Sequence, residues 1–242
     1  MTDRLSVLMP IYNEAEGLSR SFHEARGFLE KSGVAFEFIL VDDASTDATP
    51  RIIAELAAEY SQVKTLHHRS NQGPCSGLRT GPSLATGNWL LLLPVDLSVP
   101  LDDIVRLWER RGEADILLGY LNEPARRPLA RRLQSAAYTR MINGLFGMDL
   151  RQVNGIALYR TEIFHRIRLE STGVALHAEI LVRARNSGFR LEQVCLGYQP
   201  RRDGVETGNR PKVILKTIIE VFKLFAALRR ANDRHVGIDP RK

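Results

Sequence analysis

Cysteine is nearly absent from this chain. Cys75 and Cys195 are the only two in 242 residues, and neither stands at a metal-ligand spacing. That excludes a disulfide-stapled scaffold. With no leader-like N-terminal segment, it predicts a reduced, cytoplasmic setting. Histidine is equally unhelpful as a metal signal: His67-His68, His165 and His177 have no partners at ligand spacing and read as structural or surface residues. No uninterrupted apolar run approaches the ~20 residues a bilayer demands, so no membrane-spanning helix is expected. Internal repeats and low-complexity linkers are missing too, which leaves one domain as the simplest organisation. Finally, there is no glycine-rich phosphate loop after the first strand. Pro10-Ile11-Tyr12 stands in its place, which argues against a nicotinamide-dependent oxidoreductase.

What is present is an ordinary globular balance with a basic excess. Apolar residues make up 44% and charged residues 26%, and 34 basic against 28 acidic side chains give a net charge of +6. A basic surface of this size suits an anionic partner. The most informative stretch is Phe36-Glu37-Phe38-Ile39-Leu40-Val41-Asp42-Asp43, a strand-like run that breaks off at two carboxylates. Small polar residues and then a helix start at Pro50 follow. A buried strand ending in acids before a helix places those acids at the carboxyl edge of a parallel sheet, where open α/β folds bind ligands. Carboxylates there suit a base, a ribose, or a divalent cation that holds phosphate.

Strand and helix patterns alternate through residue 119. Strands are expected at Leu5–Met9, Phe36–Val41, 63–66, 89–93 and 115–119, with helices over 16–31, from Pro50, through 77–85 and over 102–111. Trp89–Leu93 is wholly apolar, as a central strand buried on both faces should be. This alternation predicts a doubly wound α/β layer structure with right-handed crossovers. Beyond it, helices are expected over 128–146, 175–186 and 212–231, and strands over 154–159 and 189–198. Residues 123–135 are rich in arginine, with Arg126 and Arg127 read as solvated surface. The last helix sets Val213, Ile214, Ile218, Phe222, Phe225 and Leu228 among lysines and arginines, an amphipathic pattern suited to a membrane interface or to docking on the domain.

Three expected strands end in acids: Pro10-Ile11-Tyr12-Asn13-Glu14, Val41-Asp42-Asp43 and Pro94-Val95-Asp96. Together with Asn71-Gln72-Gly73 and Arg79-Thr80-Gly81, they resemble the family 2 glycosyltransferases of the GT-A fold. The likeness covers residues 5–211. Arg131-Arg132-Leu133-Gln134-Ser135, Glu179-Ile180 and Arg202-Asp203-Gly204 make it most similar to polyprenyl-phosphate (dolichol-phosphate mannose type) glycosyl synthases. The resemblance implies a Rossmann-like, mostly parallel sheet sandwiched by helices. It implies a GT-A domain over 1–211, with a nucleotide-binding half (1–119) and an acceptor half (120–211), followed by a basic amphipathic helix and tail over 212–242.

The resemblance also implies inverting transfer of a sugar from a GDP- or UDP-sugar donor to an acceptor, polyprenyl phosphate in the closest likeness. Carried over by position, Pro10, Tyr12, Glu14, Asp42 and Asp43 hold the nucleoside. Asp96 holds Mg²⁺ or Mn²⁺, and Arg131, Ser135 and Arg202 supply donors to phosphate charge. Glu179 is the one later acid considered as a base for a hydroxyl acceptor; a phosphate acceptor needs none. The chain departs from the family at its Asp-x-Asp motif, where Pro94 replaces the first aspartate. The alternatives are therefore a soluble glycosyltransferase acting on a hydroxylated small molecule or protein, and an inactive nucleotide-sugar-binding protein. No nucleic-acid partner is expected. Peripheral contact at the inner face of the cytoplasmic membrane is assigned to residues 212–231, and homo-oligomerisation stays open.

Overall fold

The computed structural model describes residues 3–121, 128–199 and 211–236, the last of these with side chains over 213–230. Its centre is a seven-stranded sheet of order β3-β2-β1-β4-β6-β5-β7. The strands are β1 (Arg4–Ile11), β2 (Ala35–Asp42), β3 (Val63–His67), β4 (Trp89–Leu92), β5 (Ile116–Leu121), β6 (Ala157–Arg160) and β7 (Leu191–Leu196). Strands β3, β2, β1 and β4 run parallel, β5 pairs with β7 in parallel, and β6 is antiparallel to both β4 and β5. The GT-A arrangement, a mostly parallel sheet between helical layers, is what the sequence predicts.

Alternation along the central strands feeds two apolar layers. Leu5, Val7 and Met9 of β1 and Phe38 and Leu40 of β2 face helices α1 (Leu18–Ser32), α2 (Thr49–Glu59) and α4 (Leu101–Glu109). Leu8, Ile39, Val41, Leu90 and Leu92 face the opposite layer of α3 (Gly77–Thr80), α5 (Leu129–Phe146), α7 (Ala175–Asn186) and α8 (Pro211–Val236). A short α6 (Glu162–Arg166) follows β6. The central residues of β1, β2 and β4 thus bury their side chains on one face or the other, at about 25 cal/mol per Å² of apolar surface.

Local chemistry explains the boundaries. Pro10 sits inside β1 without cost because the β4 ladder has ended: Leu93 N donates to Leu8 O, and the next β4-facing position is Pro10. Gly33 closes α1 at φ +70°, with its amide on Glu30 O. The expected helix through 77–85 splits into α3 and a 3-10 turn at Gly81–Leu84, because Pro82 has no amide to continue the α-helical ladder. The strand expected at 154–159 begins only at Ala157. Gly155 lies so close to β5 that a Cβ there would stand 1.9 Å from Gly119 O, a bend that only glycine permits.

The last helix docks on the domain. Val221 and Leu224 are buried beneath it, Phe225 meets Phe146 of α5 edge-on, and Glu220 accepts the Thr172 amide at 2.9 Å and its hydroxyl. Its other side exposes Leu215, Ile218, Ile219 and Phe222. Among the described residues, no helix is long and apolar enough to cross a membrane.

Candidate functional site

Four non-glycine residues among those described have positive φ: Asn13 (+53°), Ala44 (+62°), Cys75 (+69°) and Leu97 (+42°). They fall one each in the loops that leave the carboxyl ends of β1, β2, β3 and β4. A side chain in this region costs about 1–2 kcal/mol, more for a bulky residue such as Leu97. Four such costs at one edge of one sheet mark that edge as built for something other than stability.

The first two loops are laced together. Asn13 N donates to Ser45 Oγ at 2.9 Å, Thr46 N to Asn13 Oδ1 at 2.8 Å, and Glu14 N to Thr49 Oγ1 at 3.0 Å. Asp47 accepts the Ala15 and Thr49 amides at 3.2 and 2.9 Å. Burial raises its carboxyl pKa, but the Thr49 and Ala15 hydrogen bonds outweigh burial and hold it below the usual range. Pro10 and Ile11 lead into these loops, and Tyr12 follows them, 40% exposed.

Asp42 and Asp43 are both buried and are gripped by two consecutive histidines. Asp42 Oδ1 accepts the Ser45 amide at 3.0 Å, and its Oδ2 meets His67 Nδ1 at 3.2 Å. Asp43 Oδ1 accepts His68 Nδ1 at 2.7 Å and the Gln72 amide at 2.9 Å, while Oδ2 accepts the Gly73 amide at 2.8 Å. His67 and His68, read from sequence as structural or surface residues, therefore belong to this edge. The signal for them was strand register: Asp42 pairs with His67 in the parallel ladder, so the next residue of each strand meets as well.

After β4, the alternation continues past the strand end. Leu93, Val95, Leu97 and Val99 turn into the core, which leaves Asp96 facing outward. Ser98 N donates to Asp96 Oδ1 at 3.2 Å. Asp96 lines one small depression with Glu14, Arg20 and Glu24, so the first and fourth loops meet there. Among the described residues no cluster of three or more His, Cys, Asp or Glu side chains is arranged for a metal. The donor set fits a hard cation that keeps waters and phosphate oxygens and takes one protein carboxylate, not a protein-built cage.

Arg131 and Ser135 lie elsewhere, on α5. They line a cavity of about 370 Å³ with Tyr138, Met141, Ile214 and Ile218, between α5 and α8. Cation and hydroxyl thus sit in one apolar-walled space. Glu179 does not join them. It is fully buried, and its oxygens accept the Glu170 and Ser171 amides at 3.0 and 2.7 Å and Arg183 Nε at 2.6 Å, anchoring the segment before α7. Arg202 lies outside the described residues, as do Arg126 and Arg127. Nearby His177 is a core residue: burial lowers its pKa to about 4, and its ring contacts the Tyr159 hydroxyl.

A parallel sheet with acids after its first, second and fourth strands, one reversed strand and a helix-lined second half defines the GT-A class of fold. Solved structures agree. Glucosyl-3-phosphoglycerate synthase from Mycobacterium tuberculosis, in complex with Mn²⁺, UDP-glucose and phosphoglyceric acid, superposes with a TM-score of 0.70 at 16% identity, over 93% of this chain and 80% of that one. Within that class, the profile described as glycosyl transferase family 2 matches residues 6–168, and the chain belongs to that family. Glycosyltransferase AglD of Haloferax volcanii is 30% identical over 209 residues, 82% of this chain and 34% of that protein. The undecaprenyl-phosphate 4-deoxy-4-formamido-L-arabinose transferase of Klebsiella pneumoniae is 30% identical over 145 residues, 60% of this chain and 44% of that one. The chain thus spans between a third and a half of the length of these relatives.

Proposed function

We propose that this protein transfers a sugar, with inversion, from a nucleoside diphosphate donor to a polyprenyl phosphate. The observation that carries the acceptor is the cavity between α5 and α8, where Arg131 and Ser135 share walls with Tyr138, Met141, Ile214 and Ile218. A guanidinium and a hydroxyl suit a phosphate head, and the apolar walls suit the start of an isoprenoid chain. The outer faces of α8 and α5 carry Leu215, Ile219 and Phe222, and Leu129 and Leu133, all exposed. Lys216 and Lys223 lie on the same α8, a composition that suits the surface of an anionic membrane.

The donor belongs at the carboxyl edge. Tyr12 offers a face for the base, and Pro10, Glu14 and Asp42 frame the nucleoside. Asp96 is the residue that would hold Mg²⁺ or Mn²⁺, which supplies Lewis-acid stabilisation of the diphosphate leaving group when bound. The acceptor phosphate is already anionic and attacks without a protein base. Arg131 and Ser135 orient it and balance its charge, and Arg202 is assigned to the same charge-balancing role from its motif. A second reading, donor binding without turnover, is favoured by one feature only, Pro94 in place of the first motif aspartate. The relatives' names support the first reading: one is an undecaprenyl-phosphate sugar transferase.

The test is a panel of GDP- and UDP-sugars offered with polyprenyl phosphate in vesicles, with and without Mn²⁺. Transfer to the lipid from at least one donor is expected. Tight binding of a donor with no transfer to any acceptor selects the second reading.

A further inference from the structure

We propose that His68, backed by Thr80, is a positioning residue of the donor site that acts through Asp43. The inference rests on the nucleotide reading above.

The geometry of Asp43 carries it. Asp43 holds three donors: His68 Nδ1 and the Gln72 amide on Oδ1 at 2.7 and 2.9 Å, and the Gly73 amide on Oδ2 at 2.8 Å. The side chain is buried, 7% exposed. A carboxylate that gathers three donors from the one loop after β3 is a clamp on that loop. For Nδ1 of a neutral imidazole to donate, Nε2 must accept, and the Thr80 hydroxyl stands 2.9 Å from it. Asp43, which can only accept, fixes Nδ1 as the donor, and the Thr80 hydroxyl backs the ring at Nε2.

The clamped loop reaches further. Gln72 accepts from the Arg79 guanidinium, and Arg79 Nη1 donates to Ser171 O at 3.4 Å. A Cβ on Gly73, whose φ is +93°, would stand 3.6 Å from Gly173 Cα. Residues 71–73 thus bridge Asp43 at the end of β2 and the segment before α7.

His68 is 4% exposed and is enclosed between Asp43 and Thr80, so its effect passes through Asp43.

The experiment uses the full chain and two readouts. Amide hydrogen exchange reports the protection of Gln72 and Gly73, and calorimetric titration with UDP and with GDP, each with Mn²⁺, reports the donor site. In His68→Ala, exchange at Gln72 and Gly73 is expected to rise roughly tenfold, and the nucleotide that binds is expected to weaken roughly tenfold. His68→Asn, whose side-chain amide can donate from the Nδ1 position, should recover most of both. Thr80→Val leaves the Asp43–His68 contact and removes its backing; it should move both readouts in the same direction by a smaller factor, and it stands in for His68→Ala if that variant does not fold. Unchanged exchange in both His68→Ala and Thr80→Val overturns the proposal. So does faster exchange with unchanged nucleotide affinity, or failure of His68→Asn to rescue. If wild type binds neither nucleotide, the donor-site reading fails and this proposal with it, while the exchange arm still shows whether His68 holds the loop.

Discussion

Strand β2 carries a buried carboxylate near its start and two more at its end, and the two places are built to opposite plans. Near the start, Glu37 accepts Ser6 Oγ at 2.7 Å, the Thr86 amide and hydroxyl at 2.6 and 2.7 Å, the Gly87 amide at 3.3 Å and Lys64 Nζ at 2.8 Å. Lys64 is 35% exposed and Arg4, at 3.8 Å, is 46% exposed, but the flanking residues carry no positive-φ side chain. At the end, Asp42 and Asp43 meet two histidines, one of them half exposed, inside loops that hold strained Asn13, Ala44 and Cys75. Both carboxylate sites are desolvated, so burial alone does not separate a structural acid from a functional one. Backbone strain in the flanking loops does.

The largest expected break in this comparison is at Glu37. Glu37→Ala strands Lys64, Ser6, Thr86 and Gly87 donors and should cost about 3 kcal/mol in urea unfolding. Nucleotide affinity of the folded fraction should not change. A pH titration sharpens the point. Burial alone would raise the Glu37 pKa, but Lys64, Thr86 and Ser6 together hold it at about 2 against an ordinary 4.5. A carboxyl lowered in the fold stabilises above its unfolded value. Wild type should therefore lose this contribution as pH falls from about 4.5 to 2, and Glu37→Gln should flatten that part of the curve.

Next in size is Asp96→Ala, expected to lower turnover roughly 100-fold or more with little change in unfolding free energy, measured by steady-state kinetics beside urea melts. An intact rate would move the cation assignment elsewhere. Phe222→Glu with Leu215→Glu should reduce sedimentation with anionic vesicles roughly tenfold or more, since it removes two exposed apolar anchors and adds negative charge. The smallest effect belongs to Ala44→Gly. It relieves a positive φ and should raise stability by up to ~1 kcal/mol, the reverse of a glycine placed in a regular strand.

The sheet and its carboxyl edge were legible because their signals are local. Apolar runs such as Trp89–Leu93, and acids followed by helix starts, can be read without knowing the partners. The reversed direction of β6 was not legible, since four residues of strand carry no mark of orientation. The two histidines were missed for a related reason: the Asp42–His67 and Asp43–His68 contacts join residues 25 apart and exist only once β2 and β3 are in register. Glu179 was considered as a base because its partners are mainly backbone amides of a loop, which composition does not reveal. For α8, the apolar pattern alone could not choose between docking and membrane contact. The helix has a face for the first, in Val221 and Leu224, and a second face that remains exposed.

The most direct measurement is a calorimetric titration of wild type, Asp42→Ala and Glu37→Gln with UDP and with GDP in the presence of Mn²⁺. The account predicts that one nucleotide binds wild type, that Asp42→Ala weakens it by roughly tenfold, the loss of a charged hydrogen bond, and that Glu37→Gln leaves it unchanged. Binding indifferent to Asp42 but sensitive to Glu37 would contradict it.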